Sequence, residues 1–185
     1  AGMQRRLALL QQALASDPDN PLQEIVATEL GLLALRLDDA GPIHILPGAP
    51  LTATTARLAE ERAFQLLARR REQGSGGTEA AGYLRQLIDQ GFLNDRLLAR
   101  ILAFRDEVVG HDIGPLGLLV DAEFAYAYQQ YESNVLKFRQ FLASKAAGYP
   151  LNLTAFFYHY AVSLYQIGLS QDAMAVVEEL RASAG

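Results

Sequence analysis

Cysteine is absent from the 185 residues, so disulfides, thiolate metal sites and a cysteine nucleophile are excluded within this chain. The same absence leaves the redox compartment open. Lysine is nearly missing too: of 16 basic residues only Lys137 and Lys145 are lysines and fourteen are arginines, a bias that fits a GC-rich, bacterial genome and carries no function by itself. Strong charge of either sign is lacking, since the net charge is −5 and both signs are mixed throughout; nothing here draws in nucleic acid. No apolar run approaches the roughly 20 residues of a membrane span, and no basic segment followed by an apolar signal core opens the chain. Membrane insertion is therefore not expected, and the cytoplasm is the expected setting. The opening Ala1-Gly2-Met3 reads as a cloning remnant before a start methionine, although a fragment of a longer protein would read the same.

What is present is an ordinary globular composition, 50% hydrophobic and 20% charged, enough for one domain with a sizeable core. Period-two alternation and clustered β-branched residues hardly occur, whereas apolar residues recur at spacings of three and four. The chain reads as all-α. Helices are expected at about 3–16 and 22–38, with the segment Ser16 to Pro21 between them, because proline suits a first helical turn and breaks an interior. Residues 39–50 hold Pro42, Pro47 and Pro50 and read as a loop in which Ile43, Ile45 and Leu46 form a short extended piece.

A long helix should follow from Thr52 or Thr54 to Glu72, with Arg69-Arg70-Arg71 complementing its dipole. The segment Gln73-Gly74-Ser75-Gly76-Gly77 reads as a flexible linker and the boundary between two sub-bundles, 1–72 and 78–185, of one continuous domain. Further along, Thr78 is expected to cap a helix ended by Gly91, and Asn94 or Asp95 to cap another ended by Gly110. Four more are expected at about 116–132, 134–147, 152–167 and 170–183. Nine helices with short connections point to stacked antiparallel hairpins.

The last pair carries a resemblance. Phe157, Tyr160, Ala161 and Leu164, then Gly168, then Ala173, Val177 and Leu180 have the large and small spacing of one repeat, and the final hairpin resembles a tetratricopeptide repeat. Leu164 stands where a tyrosine is usual, Leu180 replaces a usual alanine, and no closing proline follows. Near the start, Leu10, Ala13 and Pro18 resemble the end of a second repeat helix whose first helix would lie before it. The middle, about 31–110, fits no 34-residue register. The resemblance covers about a third of the chain and implies a degenerate, TPR-like superhelix or bundle that binds proteins or peptides.

Chemistry-bearing constellations are sparse. His111-Asp112-Ile113-Gly114 is similar to the metal-binding doublet of HD-type phosphohydrolases, where imidazole and carboxylate ligate a divalent metal. Only His44 and His159 could add imidazole, and Pro115 follows where that family often has lysine; the alternative is an interhelix loop with Asp112 as a cap. The 73–77 segment has no strand before it and no lysine after it, so it is no phosphate-binding loop. Asn152-Leu153-Thr154 matches a glycosylation triplet, but helix capping accounts for it.

Aromatic residues are concentrated: twelve of the sixteen Phe and Tyr lie between Phe124 and Tyr165. Phe124, Tyr128 and Tyr131 form an i, i+4, i+7 stripe suited to core packing. On the last hairpin, Tyr158, Val162, Tyr165 and Gln166 occupy positions that the tetratricopeptide resemblance assigns to a concave groove. Tyrosine offers apolar area and a hydroxyl with little side-chain entropy to lose. The expected function is a non-catalytic protein- or peptide-binding scaffold, without a cofactor. Tyr158, Val162, Tyr165 and Gln166 would hold the partner, and Phe124, Tyr128 and Tyr131 would contribute. A metal-dependent HD-type phosphohydrolase using His111 and Asp112, and a structural protein that homo-oligomerises through its aromatic face, are the alternatives.

Overall fold

The computed structural model describes residues 2–16, 50–144 and 148–183. Among them every regular element is a helix, and none is long and apolar enough to cross a membrane. The expected helix at 22–38, the proline-rich loop with His44, and the 16–21 connection lie mainly outside the described residues. Two compact units divide the chain, Ala1–Phe92 and Leu93–Gly185.

In the first unit α1 spans Gly2–Ser16, α2 Ala53–Gln73 and α3 Gly77–Asp89. Thr52 caps α2: its hydroxyl accepts from the Thr55 amide at 3.2 Å while the Thr55 hydroxyl accepts from the Thr52 amide at 2.8 Å. Each satisfies a donor that the first helical turn leaves unpaired. The helix ends where Gly74, at φ +76°, donates its amide to the Arg70 carbonyl. Gly76 sits at φ +98°, and a Cβ there would lie 3.2 Å from the Leu66 carbonyl oxygen. Positive φ and close backbone approach both demand glycine.

The 73–77 segment is therefore a tight turn between two helices packed on each other, and the division between units falls instead after Phe92. Thr78 is not the cap of α3; Gly76 holds that position. Small residues explain the close pairing: α2 buries Ala56, Ala59 and Ala63 beside Leu66 and Leu67, and α3 buries Ala80 and Ala81 beside Leu84, Leu87 and Ile88. Leu51 N–H donates to Gln90 Oε1 at 2.6 Å, joining the approach to α2 to the end of α3.

The second unit begins with α4, Asp95–Ala103, where Asn94 Oδ1 accepts from the Leu97 amide at 2.9 Å. The single helix expected up to Gly110 is broken at Phe104, and a short α5, Arg105–Val108, follows. A 3-10 turn at Gly114–Leu116 leads into α6, Gly117–Ala127; α7 is Tyr131–Leu142, α8 Thr154–Gln166 and α9 Ser170–Ser183. Successive helices from α6 to α9 pack on one another, and α6 also touches α8. Leu97, Ile101, Ile113, Leu116, Leu119, Phe138, Phe141 and Leu164 form the core of this unit.

Two helix ends show why α8 stops at the expected place, before Gly168, while α6 stops short of the expected 132. After α8, Leu169 N–H donates to the Leu164 carbonyl and Gly168 N–H to that of Tyr165, the paired closure that a left-handed residue permits; Gly168 has φ +85°. After α6, Gln130 donates to Ala125 and Gln129 to Tyr126 in the same pattern, but the left-handed residue is Gln129, at φ 59°. A glutamine does not announce such a stop.

Candidate functional site

Among the described residues, at least two hollows border α8. One, about 400 Å³, runs between α8 and α9 and is lined by Tyr158, Ala161, Val162, Tyr165 and Gln166 from the first helix and Ser170, Ala173, Met174 and Val177 from the second. Among the described residues, none that lines it is charged. The i, i+3, i+4, i+7 spacing on each helix creates it, since those positions share one face. Tyr158, Tyr165 and Met174 are each more than half exposed, and α9 buries only Ala173. An apolar face is thus left open along the last pair.

All four residues assigned to the groove from sequence, Tyr158, Val162, Tyr165 and Gln166, come together there. The three further residues do not join them. Phe124 and Tyr128 have ring centroids 4.6 Å apart, and the exposed Tyr128 donates its hydroxyl to Asp106 Oδ2 at 3.2 Å. That hydrogen bond, followed by the Asp106 charge, raises the Tyr128 phenol above its ordinary range. Tyr131 instead meets Tyr126, with centroids 6.4 Å apart. The expected packed stripe is therefore split, because α6 ends at Ala127 and the turn redirects the residues beyond it.

The second hollow, about 640 Å³, lies among α4, the start of α8 and the end of α9. Its walls are Leu98, Ala99, Leu102, Ala155, Phe156 and Leu180, and its polar groups belong to Asp95, Asn152, Thr154, Tyr158 and His159. Tyr158 lines both hollows. Asp95 Oδ1 accepts from the Asn152 amide at 2.8 Å, and Asn152 Oδ1 accepts from the Thr154 amide at 3.1 Å. Asn152 thus forms a turn at the entry to α8 rather than its cap, since the cap position is Leu153 and carries no side-chain hydrogen bond.

Behind this hollow lies a cluster the sequence reading missed. His159 Nδ1 is 2.9 Å from Glu123 Oε2, and the imidazole stacks on Tyr126 at 4.1 Å with the planes 13° apart. Glu123 and Tyr126 are three residues apart on α6, hence on one face. Burial, then the neighbouring Tyr131, Tyr158 and Glu123, hold the Tyr126 phenol above its ordinary value. Within Gly117–Ala127 the only charges are Asp121 and Glu123, and each is met from a different helix. Asp121 lies 3.5 Å from Lys137 of α7, and Glu123 meets His159 of α8.

Opposite the open groove, α8 is anchored by aromatic packing. Phe138 of α7 is buried between Phe157, at 5.2 Å edge-on, and Tyr160, at 5.1 Å. Arg139 Nε donates to the Tyr160 hydroxyl at 2.8 Å and reaches Asp172 of α9 at 3.7 Å. This side holds the hairpin while leaving Tyr158 and Tyr165 outward.

His111 and Asp112 fall in the loop before α6. Asp112 Oδ1 accepts from the Gly114 amide at 3.0 Å, and Ile113 is fully buried. That loop is an anchor for Ile113, and no group of three metal-capable side chains gathers among the described residues.

The fold and site together define an all-α chain with an open, uncharged groove beside a His-Glu-supported cavity. Comparison with protein-family models, curated proteins and solved structures finds no match for it.

Proposed function

We propose that this chain is a non-catalytic protein- or peptide-binding scaffold, built from repeat-like, TPR-like hairpins, that receives a segment of its partner in the α8–α9 groove. The observation that carries this reading is the groove itself: about 400 Å³, uncharged, and bordered by three large apolar side chains exposed by more than half. Isolated exposed apolar residues need no explanation, but a contiguous concave set does. The order of packing supports the repeat reading, since α6 meets α7, α7 meets α8, α8 meets α9, and α6 also reaches α8. Successive stacked hairpins have those neighbours.

Tyr158 and Tyr165 act as rigid anchors, Gln166 supplies hydrogen bonding at one end, and Val162 and Met174 shape the floor. The test is recovery of partners on immobilised protein, wild type against the double change Tyr158→Ala plus Tyr165→Ala, with far-ultraviolet circular dichroism to verify folding. Truncating two such anchors should remove about 2 kcal/mol or more of binding. Unchanged recovery by a folded variant overturns the assignment. If light scattering instead shows a dimer that the double change dissolves, the groove's occupant is a second copy.

A further inference from the structure

Resting on that peptide-binding reading, we propose that the cavity beside the groove is a pocket for a basic side chain, lysine or arginine, of the bound segment, with His159 and Asp95 as its hydrogen-bond acceptors. The cavity and groove share Tyr158, so a chain lying along the groove passes the cavity mouth. About 640 Å³ accommodates a long side chain with its adjoining backbone.

The walls and polar groups suit two different parts of such a residue. Leu98, Ala99, Leu102 and Leu180 offer apolar surface, which matches the methylene stem that lysine and arginine bury while their charged heads stay polar. At the head, Asp95 spends Oδ1 on the Asn152 amide and forms no ion pair among the described residues, leaving Oδ2 to accept. His159 is oriented from behind: Nδ1 faces the Glu123 carboxylate at 2.9 Å, and Tyr126 stacks on the ring. In the neutral imidazole that contact places the proton on Nδ1, so Nε2 becomes an acceptor. Glu123 and Tyr126 are thus positioning residues, and His159 touches the ligand.

Charge decides the sign. Among the described residues no lysine or arginine lines the cavity, while Asp95 stands in its wall and Glu123 lies directly behind His159. A cation gains from both carboxylates, and a carboxylate ligand meets them as like charges. The helix start at Thr154 favours an anion, but its first amide is already taken by Asn152. Two full charges outweigh that remaining partial one.

The experiment follows nuclear magnetic resonance signals of the His159 ring and the Ala99 amide while three probes are added: N-acetyl-arginine amide, its uncharged isostere N-acetyl-citrulline amide, and N-acetyl-glutamate amide. The arginine probe is expected to shift both signals saturably and to bind about fivefold more tightly than the citrulline probe, the scale of a partly exposed ion pair. Asp95→Asn, which keeps an acceptor for the Asn152 amide, should remove most of that difference, leaving the smaller share due to Glu123. Glu123→Gln should weaken arginine binding while leaving the cavity shape intact. Equal binding of arginine and citrulline probes, tighter binding of glutamate, or no shift with any probe overturns the proposal.

Tyr165→Ala separates this inference from the groove reading, because Tyr165 lines only the groove. If it abolishes partner recovery while the arginine probe still discriminates, both stand. Partner recovery that depends on Tyr165, with no arginine preference, sinks the basic-side-chain pocket alone.

Discussion

The α2–α3 pair and the α8–α9 pair are built from the same parts and finished differently. Each consists of two helices packed across a short turn containing a left-handed glycine. In the first, eight residues of α2 and seven of α3 are buried, alanines and leucines making up most of them. In the last, α8 buries five residues toward its neighbours but α9 buries one. One pair has consumed its apolar surface in folding; the other retains a surplus that water does not favour. Retained surplus shaped as a groove is where binding is to be sought.

Truncation should separate the two pairs most sharply. Leu84→Ala on α3 removes a fully buried side chain and should destabilise the protein by about 3 kcal/mol, read from chemical denaturation. Tyr165→Ala, at 65% exposure, should change stability by no more than about 0.5 kcal/mol and be felt in partner recovery instead. A large stability loss at Tyr165 would mean that the groove is core, and the contrast would collapse.

Gly76→Ala tests the turn of the closed pair. A Cβ at φ +98° and 3.2 Å from the Leu66 carbonyl should cost about 1–3 kcal/mol. The result distinguishes a required close approach from a flexible linker, in which alanine would be nearly neutral. Smaller still, Glu123→Gln exchanges a charge-assisted contact with His159 for a neutral one, and a loss of about 1 kcal/mol is expected. Thermal denaturation with His159→Gln as the second arm of a double-mutant cycle isolates the pair.

Helical class and the four groove positions were legible because both follow from period 3.6: residues 158, 162, 165 and 166 share a face whatever surrounds them. The turn at 73–77 was misjudged for an equally local reason. Glycine density signals permissive backbone, yet Gly74 and Gly76 use that permission for fixed left-handed geometry. Nothing local places Glu123 beside His159, 36 residues away; that depends on how α6 and α8 pack. The single helix expected to reach Gly110 failed likewise, since the break at Phe104 follows no proline or glycine.

The smallest expected effect turns the comparison inward, to two turns of the second unit that close identically. Gly168 at φ +85° and Gln129 at φ 59° each occupy the left-handed position of the same paired amide closure. Glycine reaches that region without strain, whereas a side chain there is strained by about 1–2 kcal/mol. Against this, glycine loses more conformational freedom on folding, by up to about 1 kcal/mol. Gln129→Gly should therefore stabilise the protein by about 0.5 kcal/mol, and Gly168→Gln should destabilise it by a similar or larger amount, both read from denaturant midpoints at unchanged m-value. If both changes destabilise, the Gln129 side chain does more at the α6–α7 turn than tolerate its backbone.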